Sequence, residues 1–166
     1  MFNDKHYSTI PIGYVKTQTK DTKIRDKNII SQIMIFNEFI EALKGIEEFS
    51  HIYVLFWLDK ISTKDRPLKV HPRGRKDLPL VGVFATRSMF RPNPIGLTIV
   101  KIIDVKKNII IVRGLDAFNL SPVLDIKPYD FWDKNKEIIV PEWWQILEKE
   151  KTSKYGKNNS DDTQRG

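Results

Sequence analysis

The chain has 166 residues, room for one domain and a short appendage but not for two full-sized domains. At 40% hydrophobic residues it can bury a core, yet no apolar run nears the roughly 18 residues of a membrane span, so no membrane association is expected. Lys and Arg number 28 against 21 Asp and Glu, a net +7 that favours an anionic partner such as nucleic acid, while zero Cys and three His leave little for a metal, so none is expected.

The first nine residues lack the charged-then-apolar layout of a signal peptide, which sets the expectation of a cytoplasmic protein. A strand is expected over residues 7–16 through Ile10, Ile12 and Tyr14, then a polar loop over 18–27 and a second strand over 29–36. Asn37 suits the cap of a short helix because its side chain can accept an orphan amide, with Glu38 and Glu41 at the positive end of the dipole and Gly45 at the stop. Residues 51–58 are apolar on both faces and predict a central strand covered on each side. A long loop over 59–79 holds Lys60, Lys64, Arg66, Lys69, Arg73, Arg75 and Lys76 against Asp65 in its stretch from 60 to 76. A short strand at 81–85 follows, then a hairpin of 95–104 with 108–115 turning at Val105-Lys106-Lys107, and a strand at 123–126. Strands dominate and crossover helices are missing, so the fold class expected is mainly β: a small antiparallel β-barrel with one short helix and a disordered C-terminal tail. Trp132, Trp143 and Trp144 are expected to pack back on the barrel. The domain is expected over residues 7–146, and residues 147–166 read as the polar disordered tail.

The densest chemical feature is Val83-Phe84-Ala85-Thr86-Arg87-Ser88-Met89-Phe90-Arg91-Pro92-Asn93-Pro94-Ile95-Gly96-Leu97. Two arginines four residues apart, an asparagine between prolines and a glycine entering a strand describe a stiff loop that fixes forked donors for a ligand. In Ser121-Pro122-Val123-Leu124-Asp125-Ile126-Lys127-Pro128-Tyr129, alternation places Asp125 and Lys127 on one face and Leu124 and Ile126 on the other. The plainer alternatives are a rigid connection with solvated arginines, and a surface ion pair worth under about 1 kcal/mol. His51 reads as a hydrogen-bonded core residue and the tryptophans as core, whereas Phe90 is a candidate for base stacking. Ser88 has no triad partners, and neither a Gly-x-Gly-x-x-Gly nor a Walker loop is present.

At these segments the sequence resembles the TsaA-like family, the TrmO group of tRNA methyltransferases. Gly82 to Leu97 matches the family run apart from Met89, where proline is usual. Pro122 to Tyr129 matches a second block intact, Phe49-Ser50-His51 a third, and Pro11-Ile12-Gly13 a leading one. The resemblance implies a β-barrel that binds S-adenosylmethionine without a Rossmann fold, as a homodimer with cofactor sites near the subunit interface. It implies methyl transfer to the exocyclic N6 of a threonylcarbamoyladenosine at position 37, in the tRNA anticodon loop. Carried over by motif, cofactor contacts would come from Thr17, Gln18, Thr19, His51, Ile52, Arg87, Leu97, Leu124, Asp125, Ile126 and Lys127. The chain departs from the family at Asn119-Leu120-Ser121, where Asp-Gly-Thr is usual. Bacterial members often carry a further C-terminal domain, so here the grip on tRNA is expected from the barrel, the basic loop or a partner subunit.

Methyl transfer from a sulfonium needs alignment rather than a metal, and a proton acceptor helps a delocalised exocyclic amine to attack. Asp125 is the candidate acceptor, oriented by Lys127 or Tyr129. Arg91 and Asn93 are candidates for substrate phosphate or base contacts, and Arg73, Arg75 and Lys76 for the electrostatic grip on RNA. Two other readings are an S-adenosylmethionine-binding RNA-binding or regulatory module without turnover, and a methyltransferase for a small-molecule acceptor.

Overall fold

The computed structural model describes residues 7–19, 24, 26–60, 66–134 and 137–155. Its strands are β1 (Gly13–Lys16), β2 (Ile30–Ile35), β3 (His51–Trp57), β4 (Lys69–Val70), β5 (Val81–Gly82), β6 (Ile95–Lys106), β7 (Ile109–Arg113) and β8 (Pro122–Pro128), followed by a helix, α1 (Glu142–Tyr155). Six strands close a barrel in the order β1-β2-β7-β6-β3-β8, every pair antiparallel, while β4 and β5 form a separate ribbon.

Closure follows from period-two patterning. Val15, Ile33, Ile52, Val54, Val100, Ile110, Val112 and Val123 point inward and are buried, so β-branched side chains fill the interior. Two glycines permit the close approaches this needs. A Cβ on Gly13 would stand 2.1 Å from the Met34 carbonyl oxygen, and one on Gly96 would stand 2.4 Å from the Phe56 ring, which occupies that space instead.

Several expectations change. β1 begins at Gly13 rather than at residue 7. β3 is not covered on both faces: Ile52, Val54 and Phe56 are buried, whereas His51, Tyr53, Leu55 and Trp57 are half-buried, because a barrel has one inside. The short helix is a 3-10 helix over Asn37–Leu43, and Phe36 holds its cap position without a side-chain hydrogen bond, so Asn37 is its first residue and not its cap. The strand expected at 81–85 stops at Gly82 and turns into a 3-10 helix over Val83–Ala85. The hairpin turns at Lys107 and Asn108, with β6 running on to Lys106.

β8 does not simply alternate. Leu55 pairs with Asp125 but Phe56 pairs with Val123, so Leu124 is an extra residue. That bulge turns both Val123 and Ile126 toward the core and leaves Asp125 and Lys127 outside. Trp132 is 94% exposed rather than packed on the barrel, while Trp143 and Trp144 are half-buried against each other with ring centroids 5.4 Å apart. The helix α1 crosses the boundary expected at 146, burying Leu147 and pairing Glu150 with Arg75. Residues 156–166 of the expected tail lie outside the described residues, as do Lys64 and Asp65 of the basic loop.

Candidate functional site

Antiparallel pairing sends the segments after β1, β3 and β7, and those before β2, β6 and β8, to one end of the barrel. The arginine–proline loop, the 116–121 segment and Thr17 to Thr19 therefore share a rim. Asn119 Oδ1 accepts from the Thr17 amide at 3.0 Å, Thr17 Oγ1 accepts from the Thr19 amide at 3.2 Å, and Ser121 Oγ donates to Asp59 at 3.2 Å. Thr98 Oγ1, just inside the barrel, donates to Asp116. Leu120 has φ +70° and its amide donates to the Val15 carbonyl at 2.8 Å, so the glycine usual in the family would relieve a left-handed backbone. Asn119 and Ser121 supply an acceptor and a hydroxyl, as the family's Asp and Thr would.

The loop is held from within and from outside. Arg91 Nη1 donates to the Thr86 carbonyl at 2.9 Å and the Ser88 carbonyl at 3.4 Å, and its guanidinium lies 5.8 Å from the centroid of the exposed Phe84 ring. Arg66 Nη1 donates to the carbonyls of Arg91 and Pro92 at 2.9 and 2.7 Å. Arg91, expected as a substrate contact, is thus a brace of its own loop. Arg87 and Asn93 are exposed, and among the described residues Arg87 has no hydrogen-bond or ion-pair partner.

Below this loop the outer wall presents rows of residues across three strands. Leu97, Leu55 and Asp125 form one row, and Ile99, Tyr53 and Lys127 the next. Leu97 is 56% exposed, so apolar surface adjoins one carboxylate and one ammonium. Lys127 Nζ donates to Asp125 Oδ2 at 2.8 Å, and the hydrogen bond and charge of that carboxylate hold the ammonium above the usual lysine range. Asp125 Oδ1 accepts from the Ile126 amide at 2.9 Å. This set fits a charged nucleoside such as S-adenosylmethionine: an aliphatic strip for the base, with a carboxylate beside it to face the cationic centre.

The rest of the expected cofactor set is divided. Ile52 is 0% exposed, and Ile126 packs on the core, so neither side chain reaches the outer wall. His51 lies six residues along β3 from Trp57, about 20 Å from the loop-bearing rim. There Ser50 Oγ and His51 Nδ1 are 2.9 Å apart, and the Tyr129 ring packs edge-on to Tyr53 at 5.5 Å. Partial burial and Asp133, which accepts a hydrogen bond from the Tyr53 hydroxyl, raise that phenol above its ordinary value. Within one chain His51 and Tyr129 do not meet the Arg87 loop.

The basic excursion is a built appendage rather than an open loop. Its ribbon leads into a turn in which the His71 imidazole is 2.8 Å from the Leu78 carbonyl. Arg75 donates to Asp77 and to Glu150 of α1, and these bonds raise the guanidinium and hold the Asp77 carboxyl below its usual range. Arg75 therefore clasps the ribbon to α1, leaving Arg73 and Lys76 exposed. Sequence reasoning missed this clasp, the Arg66 brace and the Thr98–Asp116 bond. Each joins residues distant along the chain, and no periodic signal marks them.

A family model, tRNA-methyltransferase O N-terminal domain, matches residues 16–132. The chain belongs to that family. Among TrmO relatives, a probable S-adenosyl-L-methionine-binding protein of Methanocaldococcus jannaschii is 43% identical over 123 residues, 73% of this chain and 90% of its own. The tRNA (adenine(37)-N6)-methyltransferase of Rattus norvegicus is 39% identical over 131 residues, 73% of this chain but 30% of that protein. A crystal structure of TrmO from Pseudomonas aeruginosa superposes with a TM-score of 0.66 at 28% identity, covering 81% of this chain and 61% of that one. The chain thus spans most of the archaeal relative's length and less than two thirds of the other two.

Proposed function

We propose that this chain is an S-adenosylmethionine-dependent methyltransferase acting on the exocyclic N6 of an adenine in tRNA, and that its acceptor is the threonylcarbamoyladenosine at position 37 of the anticodon loop. The supporting observation is the row of Leu97, Leu55 and Asp125 beneath the Arg87 loop, inside the stretch matched by the TrmO family model. When bound, the cofactor supplies an already activated methyl whose leaving group is neutral.

The chain's own part is to bind, align and take a proton. Leu97 and Leu124 cover the nucleoside, Arg87 holds the carboxylate, and the backbone at Thr17 to Thr19 borders the same rim. Asp125 accepts the proton of the attacking amine, with Lys127 fixing the carboxylate's orientation. Holding amine and methyl in line supplies much of the rate gain.

The reading includes a homodimer in a cytoplasmic setting. Ile95, Leu97, Ile99 and Ile103 leave an exposed aliphatic stripe along β6, which a second copy would cover. Antiparallel apposition of two such walls would bring His51 and Tyr129 of one copy to the Arg87 loop of the other. A second reading, cofactor binding without turnover, is favoured by the archaeal relative of similar length described only as a binding protein.

The test is labelled-methyl incorporation into tRNA with and without the threonylcarbamoyl group, followed by nucleoside mass spectrometry. Label on N6 only in modified tRNA is the expected result. Cofactor binding without label supports the second reading, and label in a small acceptor instead of tRNA overturns both. For the dimer, Ile99→Asp with Ile103→Asp should yield monomers by light scattering and lose cofactor binding.

A further inference from the structure

We propose that the Phe84 ring is a stacking platform for an unpaired RNA base of the substrate. The inference rests on the tRNA reading above and assigns a positioning residue that the sequence did not single out. Phe84 is 74% exposed, against 42% for Phe90, the aromatic that the sequence favoured. Exposure alone does not single it out, since Phe131 and Trp132 stand further into solvent, and the setting of the ring decides the case.

The backbone beneath the ring is fixed. Val83 is buried, its amide donates to the Leu68 carbonyl at 2.9 Å, and Thr86 Oγ1 donates back to the Val83 carbonyl at 2.8 Å. The Arg91 guanidinium sits 5.8 Å from the ring centroid, itself held by two carbonyls, so a cation polarises the ring while most of its surface stays open. Such a platform loses little freedom when a flat ligand settles on it.

Charge decides the class of ligand. Residues 66–94 hold seven Lys and Arg against one acid, Asp77, and that acid is bonded to Arg75. Lys69 lies opposite Gly82 in the ribbon, two residues from Phe84, and Arg87 lies three residues beyond it. Phe131 also stands exposed with a lysine 5.8 Å from its ring centroid, but Asp130 and Asp133 flank it and would repel phosphates. Aromatic rings set among cations are the means by which proteins hold single-stranded nucleic acid, and base stacking tolerates any sequence.

The experiment compares wild type, Phe84→Ala, Phe84→Leu and Phe84→Tyr on a tRNA anticodon stem-loop with 2-aminopurine in its loop, alongside calorimetric binding of S-adenosylmethionine and thermal melts. Phe84→Ala and Phe84→Leu should weaken RNA binding roughly 5- to 100-fold and release the fluorescence quenched by stacking. Phe84→Tyr should restore both. Cofactor affinity and the slope of log K against log salt should stay at wild-type values, because no charge is removed. The proposal is overturned if Phe84→Leu binds RNA like wild type, or if cofactor affinity falls in parallel. Wild-type protein that fails to bind the RNA would overturn the tRNA reading itself, a result distinct from RNA binding indifferent to residue 84.

Discussion

Residues 66–94, at one end of the barrel, carry seven Lys and Arg against Asp77 alone, whereas residues 37–50, at the other, carry four Glu against Lys44. The net charge of +7 therefore hides two regions of opposite sign. The basic end also holds the braced loop, the left-handed Leu120 and the polar contacts of the rim, while the acidic end consists of short 3-10 helices. A polyanion steered by this field would arrive at the end where the ligand-facing side chains stand, and a second copy laid antiparallel would match acid to base. Composition alone gave the sum and not this division.

The largest effect that would sharpen the contrast comes from charge. Arg66, Arg75 and Arg91 are committed to carbonyls and carboxylates, which leaves Lys69, Arg73, Lys76 and Arg87 as exposed cations of the segment. Replacing Lys69, Arg73 and Lys76 by Gln should weaken tRNA binding by one to three orders of magnitude and reduce the salt slope by about two. An unchanged slope in filter binding would break the assignment of the basic end. Next in size, Gly96→Ala should cost about 1–3 kcal/mol in urea unfolding, because the Phe56 ring must yield to the new methyl.

A smaller gain is expected from Leu120→Gly. It removes a left-handed, exposed leucine at φ +70° and should stabilise the fold by up to about 1 kcal/mol. The pH dependence of stability should be flat around neutrality. Asp77 has a depressed folded value, so its contact with Arg75 is complete above the ordinary 3.8 and is lost as pH falls through that lower value. Lys127 has a raised one, so its contact with Asp125 is complete below the ordinary 10.5 and is lost only as pH rises past the folded value. Stability in urea unfolding should thus hold steady from about pH 5 to 9 and fall in acid. Least of all, Glu41→Gln with Glu47→Gln should leave monomer tRNA affinity within about twofold, and a larger gain would mean that RNA reaches both ends.

Much of this was legible before the structure. The apolar run at 51–58 and the paired Ile-Val runs of β6 and β7 required strands, though not the one-sided burial of β3, and the spacing of Arg87, Pro92 and Pro94 announced a fixed loop. What stayed hidden depends on partners far along the chain. The bulge at Leu124 exists only relative to β3, so simple alternation paired Leu124 with Ile126 where the structure turns Val123 inward instead. Arg75 looked like a free cation because its partner Glu150 lies 75 residues away, on a helix whose polar composition resembled a tail. Arg91 looked like a ligand donor because nothing in sequence says that a guanidinium will turn back on its own carbonyls.

The ring of Phe56 against the bare α-carbon of Gly96 couples two parts of the molecule usually discussed apart. Because the interior sets where β6 begins, the height at which the proline-rich segment leaves the wall is dictated from inside. A change as mild as Phe56→Leu, out of reach of any ligand, should therefore loosen the register of the entire rim, and selectivity would drift before stability failed.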